Sequence, residues 1–64
     1  MEWITSIRES VDYMEHNLLT VSGPEEVARE VHISSFYLQK GFAVMTGYSI
    51  AEYIRDRRLY LAAL

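Results

Sequence analysis

From Trp3 to Leu18 the apolar residues Ile4, Ile7, Val11, Met14 and Leu18 recur in steps of three and four, while Glu9, Asp12 and Glu15 fall on the other side. That period predicts an amphipathic helix over about 3–18. Asp12 and His16 are i, i+4 neighbours on its wet face and read as a solvated pair, not a metal site. Leu19 to Gly23 is a short polar-tending connector. A second helix is expected over about 24–31, with Val27, Ala28 and Val31 as its apolar side. Pro24 suits the first helical position, where its missing N–H costs nothing, and Glu25 and Glu26 suit the positive end of the helix dipole. Either Gly23 caps this helix or Ser22 does, the latter with Glu25 as a capping box.

His32, Ile33 and Ser34 turn the chain into a third helix over about 35–45, for which Ser34 is a good N-cap. Its residues divide between two faces. Leu38, Phe42 and Met45 fall at i, i+4 and i+7, a core-facing stripe with Gly41 beside it. Phe36, Gln39, Lys40 and Ala43 form a second stripe opposite. An aromatic, an amide and a cation are side chains that can touch a thymine methyl, an adenine edge, and a guanine edge or phosphate. The second stripe therefore reads either as a face that recognises bases or as the water-facing side of a plain amphipathic helix. Thr46-Gly47 ends the helix by the usual glycine route, and Ser49 can cap a fourth helix over about 50–64 with Glu52 in its first turn. Ile50, Tyr53 and Ile54 are expected in the core. Leu59 to Leu64 has no polar side apart from one tyrosine hydroxyl and no capping signal, so the natural chain is expected to continue.

Two short helices joined by a tight turn, with small Ala28 where they would cross, make a helix-turn-helix. The fold class is therefore all-α, with four helices in one small domain. At 64 residues the chain buries only about 60% of the surface its unfolded form exposes, so its stability is marginal. Half of the residues are hydrophobic and 23% are charged, which suits a folded domain and argues against disorder. No cysteine is present, so disulfides and thiolate metal sites are excluded. No apolar run approaches the ~20 residues of a membrane span and no signal peptide is visible, so the chain is expected to be soluble and cytoplasmic. The net charge of −3 is uneven. Residues 1–32 carry two arginines against seven carboxylates, net −5; residues 33–64 carry Lys40, Arg55, Arg57 and Arg58 against two carboxylates, net +2. Positive charge thus sits with the third helix, a modest pointer to a polyanion.

With these elements in place, the sequence resembles the first helix-turn-helix of AraC/XylS-type transcription regulators. The resemblance rests on E-x-x-A at Glu25 to Ala28, S-x-x-x-L-x-K-x-F at Ser34 to Phe42, T-G-x-S at Thr46 to Ser49 and Y-I-R-x-x-R-L at Tyr53 to Leu59. It implies a homeodomain-like subdomain whose fourth helix joins it to a second helix-turn-helix, so that residues 1–64 are a fragment of a longer bacterial regulator. Leu59, Leu61 and Leu64 would then bury against that second subdomain. It also implies that the third helix enters the major groove of double-stranded DNA, with Phe36, Gln39 and Lys40 toward bases. Ser34, Ser35 and the helix N-terminus would hold phosphates. Arg55 is either solvated or near phosphate, and Arg58 ties the joining helix to the body. Family turns often have glycine where His32 stands, which requires a positive φ of a histidine. Gly41 costs about 1 kcal/mol relative to alanine in a helix, so either the helix frays there or something packs close.

The rival to a DNA-binding module is a helical protein-interaction module that pairs, as a homodimer for example, through the apolar end of the fourth helix. An enzyme is the least favoured class. No nucleophile with a base, no carboxylate pair, no phosphate-cradling glycine loop and no metal spacing is present, and no cofactor is expected.

Overall fold

The computed structural model describes residues 2–64. It has four α-helices: α1, Glu2–His16; α2, Pro24–Glu30; α3, Ser35–Thr46; and α4, Ile50–Ala63. Among the described residues there is no strand. Each helix gives part of its apolar side to one core: Ile7 and Met14 from α1, Val27 and Ala28 from α2, Leu38 and Phe42 from α3, Ile50 and Ile54 from α4. Leu18 and Val21 enter it from the α1–α2 connection. The Tyr53 ring meets Phe42 edge-on, with centroids 5.6 Å apart and planes at 77°, the arrangement that aromatic quadrupoles favour.

Helix α1 stops at His16, two residues short of the periodic stripe. Beyond it the chain goes on as tight turns, with Thr20 and Val21 N–H both donating to the Asn17 carbonyl at 3.0 and 2.8 Å. These turns still deliver Leu18 to the core and also bury Val21, which the polar look of its neighbours conceals. Ser10 is the converse case. It lies fully buried in the apolar stripe, made tolerable by a 2.6 Å bond from its hydroxyl to the Ile7 carbonyl. His16 does not pair with the Asp12 side chain; its Nδ1 bonds the Asp12 backbone carbonyl at 2.9 Å.

Two residues expected in the core are not there. Ile4 is 45% exposed and Met45 49% exposed. Met45 has the correct angular position but sits in the last turn of α3, in a stretch where Val44 and Tyr48 are exposed as well. At the opposite end, Trp3 takes the place beside α3 that the pattern assigns to Ile4. It can do so because of Gly41: a Cβ built there would lie 3.4 Å from Ile7 Cδ1 and 3.5 Å from Trp3 Cε3. A methyl would only touch these atoms, whereas any longer side chain would push Trp3 away. The helix is continuous through Gly41, so the close-packing alternative holds and fraying does not occur.

The turn between α2 and α3 sets the angle of the helix-turn-helix. After the last residue of α2, Val31 acts as C-cap and His32 follows with φ +63°. Ile33 N–H reaches back to the Ala28 carbonyl at 3.1 Å and His32 N–H to the Arg29 carbonyl at 3.3 Å. This pair of bonds is the Schellman motif, usually completed by glycine in the left-handed position that His32 occupies. His32→Gly is therefore expected to raise stability by about 0.5–1 kcal/mol, the relief of left-handed strain less the added chain entropy. Chemical denaturation of both forms checks it; a destabilised glycine variant would mean that the imidazole makes a favourable interaction that outweighs the strain.

Capping fixes where the other helices start. Gly23 occupies the N-cap position of α2 and offers no side chain; Glu26 instead reaches back to accept from Ser22 N–H and Ser22 Oγ, each at 3.0 Å. Ser49 and Glu52 form a complete capping box at the start of α4, with both bonds 3.0 Å. Gly47, at φ +80°, ends α3 in the left-handed conformation that a side chain would resist.

Candidate nucleic-acid interface

The surface of α3 is organised from its first turn. Ser34 is the N-cap, its Oγ accepting from Tyr37 N–H at 3.1 Å. Ser35, one residue on and half-buried, has its own bond: Gln39 Nε2 donates to Ser35 Oγ at 2.9 Å. With Leu38 and Phe42 fully buried, the helix twist carries Phe36, Gln39, Lys40 and Ala43 to the outside. Phe36 is 75% exposed, a large apolar ring with no intramolecular reason to face water. These four residues surround one shallow hollow of about 330 Å³ whose far wall is Ser49, from the start of α4. The structure thus brings Phe36, Gln39 and Lys40 together. It adds Ser49, which sequence patterning assigns only to capping; its place beside the hollow follows from the short T-G-x-S return after α3.

Arg55 lies elsewhere. It borders a separate hollow between the start of α2 and α4, among Pro24, Ala51, Ile54 and Arg58, and its Nη2 is 3.4 Å from Asp56 in an exposed ion pair. Such a pair contributes little to stability. Arg57 and Arg58 serve the fold. Arg57 Nε and Nη2 donate to the two Glu15 carboxylate oxygens at 2.9 and 3.0 Å, and its guanidinium lies 5.1 Å over the Tyr60 ring. The Tyr53 hydroxyl donates to the same carboxylate. The Arg57 guanidinium, with the Tyr53 hydroxyl adding to it, holds the Glu15 carboxyl below the usual carboxylate range. Burial, and then the bond to Glu15, push the Tyr53 phenol up to about 12. Arg58 donates from Nε to the Leu18 carbonyl and from Nη2 to the Val21 carbonyl, both at 2.6 Å, and so ties α4 to the α1–α2 connection. Much of the positive charge in residues 33–64 is thus engaged by the body, and the cation standing at the α3 hollow is Lys40.

A similar clamp joins α1 to α2. Tyr13 Oη donates to Glu26 at 2.5 Å, and this bond does most to raise the Tyr13 phenol to about 12. Among the described residues no group of three or more His, Cys, Asp or Glu is placed to hold a metal ion. No helix among them is long and apolar enough to cross a membrane. Leu59, Tyr60, Leu61 and Leu64 are exposed along the end of α4.

Comparison with known proteins gives relatives but no family model and no solved structure that matches. The chain is 37% identical over 60 residues to the Transposon Tn10 TetD protein of Escherichia coli, covering 94% of this chain and 44% of that protein. It is 33% identical over 58 residues to the Regulatory protein SoxS of Salmonella typhimurium, covering 91% of this chain and 54% of that one. Over nearly its whole length the chain is therefore similar to a transposon-encoded protein and a regulatory protein, and it spans about half the length of each.

Proposed function

We propose that this chain is a sequence-specific DNA-binding module, the first helix-turn-helix subdomain of a cytoplasmic, bacterial AraC/XylS-type transcription regulator. Helix α3 lies in the major groove. The observation that carries this reading is the exposure of Phe36, Gln39 and Lys40 around one hollow, on a helix whose opposite side buries Leu38 and Phe42 completely. Gln39 pairs with the N6 and N7 edge of adenine, Phe36 packs on a thymine methyl, and Lys40 reaches a guanine edge or a phosphate. Ser34 and Ser35 face phosphates at the helix start. Arg55, at its separate hollow, is the outlying phosphate contact. The similarity to a protein named as regulatory supports the regulator role. In the parent protein a second subdomain covers Leu59, Leu61 and Leu64.

The test is fluorescence anisotropy on a duplex selected by this chain from a random library. Gln39→Ala is expected to weaken binding about tenfold, the cost of one bidentate base contact. Lys40→Ala lowers the slope of log affinity against log salt by about one if Lys40 neutralises a phosphate, and leaves the slope unchanged if it reads guanine. Unaltered affinity in both variants, with the helical circular dichroism intact, would remove α3 as the reading element.

The exposed Leu59, Tyr60, Leu61 and Leu64 favour a second reading, a protein-interaction module that pairs through α4. A dimer in sedimentation that survives high salt and ignores DNA selects that reading, because apolar association is insensitive to counterion release.

A further inference from the structure

We propose that Ser35 is a positioning residue that sets the specificity of α3 by orienting the Gln39 carboxamide. The inference rests on the DNA-binding reading above and deepens it. Ser34 and Ser35 look alike in sequence, yet their hydroxyls do different things. Ser34 Oγ accepts from the Tyr37 backbone and caps the helix, whereas Ser35 Oγ accepts from Gln39 Nε2, one helical turn further on, at 2.9 Å.

A carboxamide carries two N–H groups, and only the one on the same side as Oε1 forms, with Oε1, the donor–acceptor edge that matches adenine. For Ser35 to orient the amide in this way, the N–H it accepts must be the other one. The adenine-matching edge then stays free. Without this bond the amide can swing or flip, and a flipped amide presents N–H groups where Oε1 belongs, which no longer separates adenine N6–H from guanine O6. A phosphate oxygen that accepts the Ser35 hydroxyl proton strengthens the arrangement, because Oγ then has only lone pairs to offer Gln39. The order phosphate, Ser35, Gln39, adenine makes the backbone contact and the base contact depend on one another.

Ser35→Ala, Ser35→Thr, Gln39→Ala and the Ser35→Ala/Gln39→Ala pair are compared on the selected duplex and on one with guanine in place of the adenine that contributes most. The expected result is that Ser35→Ala lowers the adenine-over-guanine affinity ratio about three- to tenfold, the value of one hydrogen bond. Ser35→Thr, which keeps the hydroxyl, retains the ratio. In the Gln39→Ala background Ser35→Ala adds no further loss of ratio, the non-additivity of a residue that acts through its partner. A Ser35→Ala variant that weakens both duplexes equally makes Ser35 a plain phosphate contact, and one that changes nothing makes the bond idle; either result overturns the proposal. If Gln39→Ala itself leaves the ratio unchanged, the reading face fails first and the positioning role falls with it, an outcome read on Gln39 and not on Ser35.

Discussion

Replacing Phe42 by alanine is expected to be among the most damaging single changes to the stability of this domain. Phe42 is the largest fully buried side chain, and it also stacks edge-on with Tyr53. Truncating a buried phenylalanine costs about 3–5 kcal/mol, from lost transfer energy and the cavity left behind. At about 0.05–0.15 kcal/mol per residue, a domain of this length holds roughly 3–10 kcal/mol in total. One substitution therefore removes much or all of its stability, and the thermal midpoint should fall by more than about 15 °C. Met45→Ala is the informative control. Sequence periodicity puts Met45 on the same stripe as Phe42, but half of it is exposed, so its truncation should shift stability by no more than about 0.5 kcal/mol. Thermal circular dichroism of the two variants decides the matter: comparable losses would place Met45 in the core and reject the helix packing described above.

The contrast between Phe42 and Met45 marks what periodicity can and cannot tell. Helical spacing gives the angle at which a residue leaves the helix, and for Ile7, Met14, Leu38 and Ile54 that angle suffices because another helix lies at the same height. It says nothing of height. Ile4 and Met45 have the proper angle and still remain about half exposed. Trp3, next to Ile4, packs inward against Gly41, almost forty residues later, where there is room for a methyl at most, a pairing invisible to local pattern. Capping was readable in advance at Ser34 and Ser49, since those devices span three residues. It was not readable at Ser22, where Glu26 and not Glu25 makes the return bond. The positive φ of His32 followed from family resemblance alone, as nothing in a histidine asks for it.

For the candidate site, the stripe of Phe36, Gln39 and Lys40 was legible because all three lie on one element and their spacing alone sets their common face. Charge was the less faithful guide. Counting residues 33–64 as net +2 treats four cations alike, but Glu15, on α1, takes up Arg57, and the carbonyls of Leu18 and Val21 take up Arg58. Those partners lie some forty positions away in the chain. The field near α3 accordingly depends on Lys40 more than the composition suggests, and the salt slope of binding is the quantity that reports it.

Arg58→Ala is expected to cost about 2–3 kcal/mol, the scale of charge-assisted hydrogen bonds from a partly buried guanidinium. The carbonyls of Leu18 and Val21 point out of the turns that follow α1, where no helical N–H is available to meet them, and Arg58 answers both with one planar fork at 2.6 Å each. Its removal leaves two acceptors half-shielded from water and frees α4 from the connection that holds Val21 in the core. Arg58→Lys should recover less than half of the loss, because an ammonium is a point donor and cannot reproduce the fork. Arg57→Ala is expected to cost under about 1 kcal/mol, even though its ion pair with Glu15 is well formed, because both side chains remain about one-third exposed and solvent screens them. Urea denaturation of the three variants tests this order. If Arg57→Ala proved the more damaging, α4 would be anchored to α1 by charge, and Arg58 would be secondary. The order expected here instead ties α4 to the α1–α2 connection, so the direction in which Leu59 and Leu61 leave the domain is set by two backbone carbonyls on a turn.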